Sequence, residues 1–74
     1  MPVLYNADSY VIAMYFEDHK PPHIHVVGPD FEGLVAIGGL VVFRGSIPSE
    51  ISREALKWID EYREMLLGKW NVWH

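Results

Sequence analysis

With 74 residues, no cysteine, and ten Asp plus Glu against six Lys plus Arg, the chain has room for one small domain (1–74) and for neither a disulfide nor a thiolate metal site. Half of its residues are hydrophobic, 22% charged and 14% aromatic, which argues against disorder. A net charge of −4 gives no long-range pull on phosphate, so generic nucleic-acid binding is disfavoured and no DNA-specificity signal exists. The apolar runs fall well short of the ~20 residues of a membrane span and no signal peptide opens the chain, so a cytoplasmic location is expected.

Ser9 to Glu17 is rich in aromatic and β-branched residues, is apolar on both faces and stops at Asp18-His19-Lys20, which predicts a central strand over 9–17. Pro21-Pro22 forbids helix and cannot donate to a ladder, so 18–22 reads as a turn feeding a strand over 23–27. In that strand His23, His25 and Val27 share one face, while Ile24 and Val26 share the other. Gly28-Pro29-Asp30 predicts a turn into a third strand over 32–37. Gly38-Gly39 is a two-residue hairpin signal leading to a fourth strand over 40–44.

Beyond Gly45-Ser46-Ile47-Pro48 the period changes. Ile51, Ala55, Trp58, Ile59, Tyr62 and Leu66 stand at offsets 0, 4, 7, 8, 11 and 15, the stripe of an amphipathic helix over about 50–67. Ser49 is the expected N-cap, and Gly68 with Lys69 the expected C-terminus. The expected fold is therefore α+β: a four-stranded antiparallel meander with one C-terminal helix on one face, its other face wet or paired with a second subunit.

The chemically unusual stretch is Asp18-His19-Lys20-Pro21-Pro22-His23-Ile24-His25, which holds three of the four histidines. On a strand, His23 and His25 project from one face about 7 Å apart, so both imidazoles could converge on an ion such as zinc or nickel, with His19 as third donor. Asp18 or Glu17 would supply an oxygen or fix an imidazole tautomer. The same four residues, Asp18, His19, His23 and His25, are candidates for acid/base catalysis, because histidine alone titrates unperturbed near neutrality. The plainer alternative is two half-exposed histidines on a wet sheet face, with His19 closing a turn.

The Asp-His-Lys-Pro-Pro-His-Ile-His-Val run at 18–26, Gly45-Ser46-Ile47-Pro48, and the helix with Ala55-Leu56-Lys57-Trp58, Leu66-Leu67 and Trp70 resemble the small bacterial family described as domain of unknown function 4160. The resemblance covers nearly the whole chain. Ile47 stands where that family usually has Leu, the Ile37-Gly38-Gly39-Leu40 hairpin is more apolar than is usual, and the tail is shorter. The resemblance implies no established activity. It implies a gene that often neighbours another small family, in pairs proposed as toxin–antitoxin-like modules, and it marks Asp18, His19, Pro21, Pro22, His23 and His25 as the shared motif.

Trp70 and Trp73 follow the expected helix, either as interface anchors or folded back over the chain's own core. With the small core, they lead to an expected homodimer. Pro2 would be a catalytic amine only in a tautomerase-like topology, which three further strands before the helix contradict. No nucleotide-binding glycine motif or nucleophile template is present. Ribonuclease chemistry would need cations near the histidines, and in sequence only Lys20 is close, so RNA remains an open partner. Three functions stand: an interaction protein acting through a partner encoded nearby, a His-based hydrolase or ribonuclease, and a metal-binding module.

Overall fold

The computed structural model describes residues 3–15 and 19–74. Among these, five antiparallel strands form one sheet in sequential order: β1 (Val3–Asn6), β2 (Val11–Ala13), β3 (His23–Val27), β4 (Glu32–Ala36) and β5 (Val41–Gly45). Two helices follow, α1 (Ser49–Glu61) and α2 (Arg63–Trp73). No helix among the described residues is long and apolar enough to cross a membrane.

The α+β class and the meander agree with expectation, and the expected four strands and one helix become five and two. The additional strand is β1, an edge strand of four residues that packs Leu4 and Tyr5 on the core. Of the long apolar stretch 9–17, the described residues 9–15 hold the short β2, with Ile12, Ala13 and Met14 fully buried. At the expected two-glycine hairpin, Leu40 and not a glycine takes left-handed backbone (φ 54°), its N–H donating to the Ala36 carbonyl at 2.9 Å. Gly45 has φ +75°, and a Cβ there would collide with the Glu32 carbonyl oxygen, so the end of β5 requires glycine on both counts.

Register sorts the side chains. Ile12 opposes Val26, Ile24 opposes Val35, and Val35 opposes Val42, so these residues share one face, which belongs to the core. Ala55 and Ile59 of α1, with Leu66 and Trp70 of α2, complete that core. The expected continuous helix breaks at Tyr62 (φ −109°, ψ 21°), where the apolar stripe would point inward yet the ring is 42% exposed. Pro48 caps α1 in place of Ser49 and makes no side-chain cap bond, and Gly68 lies inside α2 instead of ending it.

That second helix decides the fate of the tail. Trp70 is only 2% exposed and belongs to this chain's own core, while Trp73 packs partly buried against it. Of the two suggested interface anchors, Trp70 is thus consumed internally. His74 stacks on Trp70 (centroids 3.7 Å, planes 14° apart), and its two ring nitrogens face the carbonyls of Trp70 and Tyr15 at 2.9 and 3.0 Å. These contacts hold the end of α2 against the end of the sheet where β2 leaves and β3 begins.

At the opposite end of the sheet, the Tyr10 hydroxyl donates to Glu54 Oε1 at 2.7 Å, tying the residue just before β2 to α1. Burial, then the bond to the Glu54 carboxylate and its charge, push the Tyr10 phenol above its ordinary range. The fold therefore holds the neutral phenol, and its contribution is whole below the unfolded value of about 10 and is lost as pH climbs from there through the folded value. Tyr10→Phe should cost about 1 kcal/mol at neutral pH and flatten the alkaline limb of stability measured by urea titration. An unchanged alkaline limb would refute the assignment.

Candidate functional site: a cationic histidine cleft

The face of the sheet away from α1 carries the histidines. His25 lies opposite both Ala13 and Leu34, and His23 opposite Ala36, so all five residues share it. The plainer reading expected half-exposed rings on a wet face, and both are buried instead: His23 is 5% and His25 7% exposed. His23 packs between the rings of Trp70 (5.3 Å) and Phe43 (5.4 Å), and His25 lies edge-on to Tyr15 at 4.1 Å.

Each ring is oriented through Nδ1. His23 Nδ1–H donates to the Pro21 carbonyl at 2.7 Å, within the turn that follows the cis Lys20–Pro21 bond. His25 Nδ1–H donates to Glu32 Oε2 at 2.8 Å, across the diagonal of the β3–β4 pair. Each acceptor holds the Nδ1 proton of its ring and so fixes that ring's orientation. Among the described residues Glu32 is a carboxylate that orients His25; Glu17 and Asp18, named for that task from the sequence, lie outside the described residues.

A cleft of about 230 Å3 opens beside His23, lined by His19, Lys20 and Pro21 of the β2–β3 loop and by Leu34, Phe43 and Arg44. The β4–β5 register explains why two adjacent residues of β5 line it. Leu34 opposes Arg44 while Val35 opposes Val42, so Phe43 is the extra residue of a bulge, and it turns toward the same side as Arg44. Lys20 and Arg44 form no ion pair among the described residues.

The three expected histidine ligands are thus divided. His19 and His23 line the cleft, whereas His25 sits behind His23 against Tyr15 and Glu32. The centroids of the His23 and His25 rings are 5.4 Å apart. Among the described residues no group of three or more His, Cys, Asp or Glu could hold a metal ion, and Asp18 and Glu17, which the zinc or nickel reading adds to the histidines, lie outside them. The second cation, Arg44, escaped a reading along the sequence because strand pairing and a bulge bring it near. The hairpin joining β4 to β5 was the available signal, and one residue of register decided it.

A family model described as Domain of unknown function (DUF4160) matches residues 9–71. No curated protein matches the chain, and no solved structure does.

Proposed function

Since the chain belongs to the DUF4160 family, whose description carries no activity, we propose that it is a small cytoplasmic interaction protein, one component of a toxin–antitoxin-like two-gene module, that acts by binding a partner protein encoded beside it. The supporting observation is the open edge of β5. This strand ends the sheet, and its Val41 and Phe43 are 56% and 44% exposed beside Arg44. An edge strand with exposed apolar side chains is a template for strand addition, and Arg44 favours a segment carrying acidic residues. The expected homodimer is the competing occupant of the same edge.

Co-expression with the neighbouring gene product should give a stable heteromeric complex, measured by sedimentation. Val41→Lys combined with Phe43→Lys should weaken it at least tenfold, roughly 1.4 kcal/mol, and Val41→Lys alone should leave the melting temperature nearly unchanged because that side chain is 56% exposed. Self-association alone, or a complex indifferent to both substitutions, would overturn the reading.

A second reading, a His-based hydrolase or ribonuclease, is favoured by one observation: Lys20 and Arg44 flank His19 and His23 in a single cleft. Such chemistry needs an imidazole to move a proton and fixed cations to meet the charge on phosphate. Its first requirement is that the cleft hold a phosphate group.

A further inference from the structure

We propose that the cleft beside His23 is a binding site for the phosphate group of a nucleotide, free or within single-stranded RNA. The proposal rests on the same cleft as the hydrolase reading, not on any reaction there. Its basis is the meeting of two cations from separate elements in one cleft. The chain carries −4 overall, yet the described lining holds two of its six Lys and Arg, two of its four His, and no carboxylate. Lys20 and Arg44, unpaired among the described residues, reach the cleft from opposite sides, one from the loop before β3 and one from β5.

Two separately anchored cations facing a common concavity both attract an anion placed there. An Arg guanidinium grips phosphate through paired N–H donors, while a Lys ammonium adds a mobile point charge and the exposed His19 a further ring nitrogen. The bulge at Phe43 spends an unpaired strand residue to put an aromatic ring beside Arg44. That ring is 44% exposed, and a phosphate site walled by an accessible aromatic suits a ligand with a flat base attached. The cleft volume of about 230 Å3 admits a phosphate with its sugar and leaves the base against the Phe43 wall.

Titration of the 15N-labelled full chain with inorganic phosphate, a 5′-mononucleotide and a short single-stranded RNA, in chloride buffer, tests the site. Amide shifts should concentrate at His19, Lys20, His23, Phe43 and Arg44, and affinity should fall as salt rises. Arg44→Glu should weaken mononucleotide binding at least tenfold and Arg44→Lys much less, while Lys57→Glu on α1 leaves it unchanged. A mononucleotide binding more tightly than inorganic phosphate, with that advantage lost in Phe43→Leu, supports the nucleotide. RNA binding tighter still identifies the strand as the source. Inorganic phosphate binding as tightly as the mononucleotide overturns the nucleotide assignment, and absence of shifts at these residues, or binding indifferent to Arg44→Glu, overturns the site. Binding without cleavage of the RNA removes the hydrolase reading and leaves this site standing.

Discussion

Trp70→Ala should remove most of the protein's stability at room temperature. The indole is 2% exposed and the largest fully buried side chain of the structure, and it joins three parts of the molecule. It packs in the core with Ile59 and Leu66, lies 5.3 Å from the His23 ring, and carries the stacked His74 that reaches the Tyr15 carbonyl. Truncating a buried aromatic costs about 3–5 kcal/mol, and a 74-residue domain has a total stability near the low end of about 5–15 kcal/mol. Trp70→Phe should recover much of the loss by refilling the site. Val72→Ser, 82% exposed in the wild-type chain, should change little. Circular dichroism during urea unfolding separates the three variants, and a Trp70→Ala protein melting within a few degrees of wild type would remove α2 from the folded core.

The tail illustrates what was legible and what was not. Its two tryptophans stood out in the sequence, but Gly68 looked like a helix end, and the cost of glycine inside a helix, about 1 kcal/mol, is outweighed here by burying Leu66 on one side of it and Trp70 on the other. Tertiary contact overrode local propensity. Strand β3 was legible to the residue because Pro22 and Gly28 bracket a short run that alternates cleanly between histidine and aliphatic side chains. β1 was not, since four residues at a chain end hold too little pattern to separate from a loop, and only pairing with β2 orders them.

The same contrast holds at the cleft. The histidine motif drew attention through its density, yet its members do different work: His19 is exposed, His23 lines the cleft from a buried position, and His25 is a pillar behind it. Those differences depend on what lies across from each residue. Glu32 reaches His25 only along the β3–β4 diagonal, and Phe43 turns toward His23 only because β5 is bulged. Alternation along one strand assigns a face; it does not say what covers the face.

His25 should therefore behave as a structural residue supporting the site. His25→Ala removes an imidazole that is 7% exposed, its edge contact with Tyr15 and its hydrogen bond to Glu32, and should lower stability by about 2 kcal/mol. The Glu32 side chain is 48% exposed, so its carboxylate regains water when the ring is lost and leaves no buried charge behind. His25→Asn retains an N–H near the position of Nδ1 and should recover part of the hydrogen bond without the ring packing. In a double-mutant cycle, His25→Ala and Glu32→Ala should couple by about 1 kcal/mol, whereas His25→Ala and the remote Lys57→Ala should be additive. A residue whose ring touched a ligand would show the opposite pattern: stability nearly intact in His25→Asn and phosphate binding in the cleft abolished. Chemical denaturation and phosphate titration of the same variants decide between the two, because a supporting pillar loses stability first and loses binding only as far as His23 shifts.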